Sequence, residues 1–248
     1  MRFDVITLFP ELFSPILSGG ITRRAFESAQ VDVRLTNPRD CAEGHYRRID
    51  DRPFGGGPGM VMMAEPLNRC LQNILALRDD APPVVLFSPL GKPLNHATVQ
   101  RWAASQGAVL VCGRYEGIDQ RFIDAHVDEQ ISLGDFVLSG GEIAAMALLD
   151  AVARLQPGVL NDATSHQQDS FNPALDGLLD CPHFTRPELW QGLPAPDVLM
   201  SGHHANIERW RRDQSLALTA LHRPDLIVHA RTRGLLSARD EECLSRRG

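Results

Sequence analysis

The sequence predicts an α/β protein, and three observations carry that prediction. Short apolar runs of strand length, at 2–8, 31–35, 84–87, 108–112 and 127–133, alternate with segments of helical period, in the manner of parallel βαβ units. Two of these runs end in glycine-bearing turns, Gly113-Arg114-Tyr115-Glu116-Gly117 and Gly134-Asp135, and a third cluster, Ser139-Gly140-Gly141, opens the next helix. A chain of 248 residues with 43% hydrophobic content can bury the core of one large domain and carry a smaller appendage.

The elements follow in order. Residues 2–8 read as an opening strand closed by Pro10, with a helical pattern through Leu17 that Gly19-Gly20 breaks. Helical spacing over 21–29 precedes the alternating strand 31–35. Asn37-Pro38 then turns the chain into a polar segment, 39–53, that reads as a long surface loop. The glycine-rich stretch 54–60 (FGGGPGM) lacks the Lys-Ser/Thr pair of a P-loop, and no GxGxxG occurs; it reads equally as a crossover loop or a ligand-contacting one. Helices are predicted over 64–77, 95–105 and 141–155, the last ended by Gln156-Pro157-Gly158. The polar segment 160–176 has no periodicity and marks a linker or lid. Beyond it the chain turns helical, with 206–221 the longest segment and another starting at Arg223-Pro224-Asp225. The predicted organisation is a sheet domain at 1–159, a linker at 160–176 and a small all-helical domain at 177–248.

Composition excludes several classes. No apolar run approaches the ~20 residues of a membrane helix, and the first residues carry acids within their apolar stretch, unlike a signal peptide, so a cytoplasmic location is expected. Five scattered cysteines form neither a CxxC pair nor a metal-ligand pattern with histidine. His166, His183, His203 and His204 likewise lack metal-site spacing, so no protein metal ligands are assigned. The net charge of −6 argues against broad nonspecific nucleic-acid binding, but the acidity belongs to the first two-thirds of the chain. Near Trp210 stand Arg209, Arg211 and Arg212, a cluster that reads as a solvated face or a phosphate-binding one. In an α/β sheet, ligands bind beyond the carboxyl ends of strands, which places the expected site at 108–142.

Eight blocks in one order resemble the bacterial tRNA (guanine-N1)-methyltransferases: FDVITLFPELF (3–13), PFGGGPGM (53–60), SPLGKPL (88–94), CGRYEGIDQR (112–121), SLGDFVLSGGE (132–142), PGVL (157–160), DSF (169–171) and LLDCPHFTRP (178–187). Departures are confined to single side chains: Phe54 and Phe136 stand where many relatives carry tyrosine, and Ala144 where some carry proline. This resemblance implies a trefoil-knotted parallel-sheet domain, which βαβ logic alone would not predict. It further implies S-adenosylmethionine as cofactor, tRNA as substrate, a homodimer with its active site at the subunit interface, and use of Mg²⁺ without dedicated protein ligands.

The same resemblance carries site residues onto this sequence. Cofactor-binding positions are Phe87, Ser88 and Pro89 in one loop, Gly113, Tyr115 and Glu116 in a second, and Ser132, Leu133, Gly134, Asp135, Phe136, Val137, Leu138, Gly140 and Gly141 in a third. Small residues there let backbone amides and carbonyls approach a ligand closely. Asp169 is the expected general base for the guanine N1 proton, Arg154 its electrostatic counterpart near O6, and Glu116 a carboxylate that orients the sulfonium or a substrate amine. Arg186, Arg209 and Arg212 are expected to contact tRNA phosphates. Two other classes compete: a knotted ribose methyltransferase acting on ribosomal RNA, and a non-enzymatic RNA-binding protein on the same scaffold.

Overall fold

A computed structural model describes residues 1–161 and 165–246. Its chain divides into two compact units, Met1–Asn161 and Asp162–Gly248. The first unit runs β1 (Arg2–Ile6), a 3₁₀ turn Pro10–Phe13, α1 (Ser14–Ser18), α2 (Arg23–Glu27), β2 (Asp32–Thr36), α3 (Pro38–Cys41), β3 (Asp50–Asp51), β4 (Val61–Met62), α4 (Ala64–Leu75), β5 (Val84–Pro93), α5 (His96–Ala103), β6 (Gly107–Val111), α6 (Gln120–His126), β7 (Glu129–Ser132) and α7 (Glu142–Arg154). Five strands make one parallel sheet in the order β2-β1-β6-β5-β7, while β3 and β4 pair as a separate antiparallel ribbon.

Alternation along buried strands decides which layer each side chain enters. From β6 and the residue after it, Ala108, Leu110 and Cys112 join Phe3, Val5 and Val85 against Val99 and Trp102 of α5 and Leu148 and Val152 of α7. Val109 and Val111 point the other way, with Ile6, Val84 and Leu86, onto Leu67, Leu71 and Ile74 of α4 and Phe122 of α6. Helices on both faces explain why a central strand can be apolar throughout.

Three departures from the expected elements have physical causes. The segment 39–53 is not loop throughout: the Asn37 side chain accepts the Arg39 amide and caps α3, and Asp50–Asp51 pairs with Val61–Met62. Helix α6 was not foreseen, because only Phe122 among its seven residues is buried and so short a segment has no apolar period to read. Strand β5 extends past Phe87 with an irregularity: Phe87 and Lys92 both pair with Ile131, so Ser88-Pro89-Leu90-Gly91 bulges out of the ladder. Gly91 crosses β7 so closely that an added Cβ would lie 2.5 Å from the Gln130 carbonyl carbon.

The second unit contains 3₁₀ turns at Ser165–Gln168 and Pro173–Leu175, the hairpin β8 (Leu189–Trp190) and β9 (Leu193–Pro194), and the helices α8 (Asp197–Met200), α9 (His204–His222), α10 (Pro224–Thr232) and α11 (Ala238–Ser245). Its core is small: Leu178, Leu216, Ile227 and Ala230, with Leu235, Leu236 and Leu244 packed around them. Part of the expected linker belongs to this unit, since the Phe171 amide donates to the Leu178 carbonyl at 2.8 Å and Asn172 Nδ2 to the His166 carbonyl at 2.9 Å. Among the described residues no helix is long and apolar enough to cross a membrane.

Candidate active site

Strands β5, β6 and β7 all end at one edge of the sheet, and the loops that leave them form a cavity of about 350 Å³. Its walls come from 86–90, 113–118 and 131–141, with Gln120, Ile123 and Ala144 behind. Every expected cofactor-binding residue except Asp135 lines it. Most lining side chains are apolar or small, and the charged ones are Arg114 and Glu116. A ligand held there meets a lining dominated by glycines and apolar side chains, beside one carboxylate and one guanidinium. This lining fits a ligand that combines an apolar, nucleoside-like body with a cationic centre.

Close approach of backbone explains the glycines. The Gly141 amide donates to the Gly113 carbonyl at 3.0 Å, joining two walls of the cavity, and a Cβ on Gly141 would lie 2.8 Å from Cys112 Cα. Tyr115 adopts φ 60°, a left-handed conformation uncommon for tyrosine, which lifts its half-exposed ring to the rim. There Arg39 Nη2 donates to the Tyr115 hydroxyl at 3.5 Å, and burial, with Asp50 adding, pushes the phenol pKa up.

The stretch 54–60 is part of this neighbourhood. The Glu116 amide donates to the Met60 carbonyl at 3.0 Å and the Met62 amide to the Gly117 carbonyl at 2.9 Å. Gly59 has φ 76°, and a Cβ there would fall 2.8 Å from the Glu116 carboxyl carbon. The loop therefore packs against the wall that carries the site's carboxylate.

Arg154 closes α7 at its carboxyl end, partly buried in the first unit. Asp169 lies in the second unit just after the Ser165–Gln168 turn, also partly buried, its amide reaching the His166 carbonyl at 3.4 Å. Arg154 is not among the residues that line the cavity. Of the three arginines expected at phosphates, two face inward: Arg209 donates to Asp213 and Asp240, and Arg212 to Asp176 and Asp240. Arg186 and Arg211 are exposed. Among the described residues no group of three or more His, Cys, Asp or Glu side chains is placed to hold a metal ion.

The residues missed by sequence reasoning stand behind the cavity. Thr7, just past β1, donates its hydroxyl to Glu142 Oε1 at 3.0 Å, and Glu142 Oε2 faces Arg114 Nε at 2.9 Å. By position Glu142 is an ordinary first-turn acid of a helix. Only its 1% exposure separates it from one, and no local pattern announces burial.

A parallel α/β sheet with a nucleoside-sized cavity between glycine-bearing loops at its carboxyl edge defines a nucleotide-cofactor-binding class of enzyme fold. Comparison with known proteins narrows the class. The tRNA (Guanine-1)-methyltransferase TrmD family matches residues 1–229. The chain is 74% identical over 245 residues to the tRNA (guanine-N(1)-)-methyltransferase of Albidiferax ferrireducens, covering 99% of each. It is 71% identical over 250 residues to that of Paracidovorax citrulli (99% of this chain, 98% of the relative) and 57% over 249 residues to that of a Janthinobacterium species (99% of each). The chain belongs to the tRNA (guanine-N1)-methyltransferase family, a group of methyltransferases.

Proposed function

We propose that the chain binds S-adenosylmethionine in the cavity and methylates N1 of the guanosine at position 37 of tRNA, just 3′ of the anticodon, where the modification helps maintain the reading frame. The observation that carries the reading is the convergence of loops 86–90, 113–118 and 131–141, whose glycine-rich, largely apolar lining with the Glu116 carboxylate fits a cationic nucleoside ligand. Bound there, S-adenosylmethionine supplies an electrophilic methyl group.

The protein's own work is to prepare the nucleophile. Guanine N1 carries a proton and its lone pair is tied into the ring, so the proton must leave as the new bond forms. Asp169 accepts that proton, and Arg154 offers its guanidinium where charge builds on O6. Glu116, close against Gly59, gives the cavity a negative wall that would complement a cationic centre bound there. In this reading the chain works in the cytoplasm as a homodimer, with 160–176 and the helical unit of one subunit completing the site of the other, and with the sheet's carboxyl-terminal loops threaded as a trefoil knot. Any Mg²⁺ needed acts without a dedicated set of protein ligands.

The test is incubation with labelled S-adenosylmethionine and unmodified tRNA, followed by identification of the nucleoside. Label on guanine N1 is the expected result. Label on a ribose would select the ribose methyltransferase reading, and failure to bind the cofactor in calorimetry the non-enzymatic one. Asp169→Asn should bind both substrates yet lose about 10²–10⁴ in single-turnover methyl transfer, the usual cost of a general base. For the shared site, mixing Gly141→Trp with Asp169→Asn protein should restore activity through mixed dimers; no recovery would count against it.

A further inference from the structure

Behind the cavity lies a buried charge pair that methyl transfer itself does not call for. Glu142 is the first residue of α7, and its carboxylate is shut away from water beside Thr7 at the end of β1. A carboxylate that merely complemented a helix dipole would gain as much in solvent and avoid the cost of desolvation. Here one oxygen accepts the Thr7 hydroxyl, which in turn accepts the Phe9 amide at 3.0 Å. The other faces Arg114 Nε at 2.9 Å but out of hydrogen-bond alignment.

Arg114 connects this anchor to the cavity. Its backbone belongs to the 113–118 wall and bridges Gly140; its Nη1 donates to the Ser139 carbonyl at 3.1 Å in the 131–141 wall; its guanidinium lies 4.4 Å over the Phe9 ring. Gly140 leaves room for this path, since a Cβ there would fall 2.5 Å from Glu142 Oε2 and collide with the Arg114 side chain. A planar fork can reach Ser139 and Glu142 together, whereas an ammonium is a single point charge.

We infer that Glu142 is a positioning residue: through Arg114, and braced by Thr7, it holds the 113–118 and 131–141 loops at the separation that binds the cofactor. The inference rests on the proposed S-adenosylmethionine reading of the cavity. It assigns Glu142 no contact with cofactor or substrate.

Glu142→Gln keeps the shape and removes the charge. Calorimetry with S-adenosylmethionine and with S-adenosylhomocysteine should show affinity weakened about tenfold, the scale of one charge-assisted hydrogen bond. KM for the cofactor should rise with it, kcat at saturating cofactor should stay near the parent's, and tRNA affinity should not change. Should that variant fail to fold, the Thr7 pair decides: Thr7→Val should weaken cofactor binding, and Thr7→Ser, which keeps both hydrogen bonds, should restore it. A Glu142→Gln or Thr7→Val protein that folds and binds cofactor like the parent overturns the inference, as does a Thr7→Ser protein as weak as Thr7→Val. A parent that binds no cofactor at all overturns the underlying reading instead, so the two failures are distinct.

Discussion

Two buried arginine–carboxylate networks, one around Asp240 in the helical unit and one around Glu142 in the sheet unit, differ in how completely they are satisfied. In the helical unit Asp240 accepts from Arg209 at 2.9 Å, from Arg212 at 3.1 Å and from the Ser237 amide at 3.1 Å, within a capping box that starts α11. Burial alone would raise its pKa, but the hydrogen bonds from Arg212, Ser237 and Arg209 prevail and hold it at about 2. In the sheet unit Glu142 has one aligned donor and one misaligned cation, and it sits directly behind a cavity. A saturated network ties helices together where the apolar core is small, whereas an incompletely aligned one ties loops whose spacing matters to a ligand. The same residue types thus serve cohesion around Asp240 and registry around Glu142.

The comparison breaks first, and most visibly, at Asp240. Asp240→Ala removes the acceptor that Arg209 and Arg212 share, leaving them only Asp213 and Asp176, and strips the capping box of α11; it should cost the helical unit about 2–3 kcal/mol, read as an early urea transition, with cofactor binding untouched. A variant as stable as the parent would show that the network is decorative.

Acid should dissolve the same network with a defined sign. Because the folded-state pKa of Asp240 is depressed to about 2, its contribution is fully present above the ordinary carboxylate value near 3.9 and is lost as pH falls from there towards 2. The loss is on the order of 2 kcal/mol and should vanish in Asp240→Ala protein compared by urea titration at pH 5 and pH 2.5. Equal pH dependence in both proteins would assign the effect to other groups.

A smaller effect is expected at the sheet unit's cavity. Gly141→Ala pushes a methyl group against Cys112 backbone, and overpacking of that kind costs about 1–3 kcal/mol. Here the cost should fall mainly on cofactor affinity, because the two walls it separates are loops rather than core. Loss of thermal stability with unchanged cofactor affinity would contradict that division.

The smallest change concerns exposed cations. Arg211→Ala and Arg186→Ala should each lower the slope of log binding constant against log salt for tRNA by about 0.7–0.9, one phosphate's worth, without altering stability. Arg209→Ala should act on stability instead, since its side chain is committed to Asp213 and Asp240. Slopes unchanged for both Arg211→Ala and Arg186→Ala would make these arginines simply solvated.

The sequence by itself determined the α/β class, the strands at 84–87 and 108–112, the long helices, and the loops of the cavity, because hydrophobic period and glycine placement are local properties of a chain. Eight ordered motifs also carried the family. Partnership was not legible. Arg209, Arg211 and Arg212 look alike in sequence, yet α9 turns the first and third towards Asp240 and leaves the second exposed, and the aspartate that separates them lies some thirty residues further on. Glu142 is local in sequence to Gly140 but meets Thr7 across 135 positions. Only the folded sheet, which brings the ends of β1 and β6 beside the start of α7, could make that carboxylate a buried anchor, since desolvation and charge pairing depend on neighbours in space and leave no period in the chain.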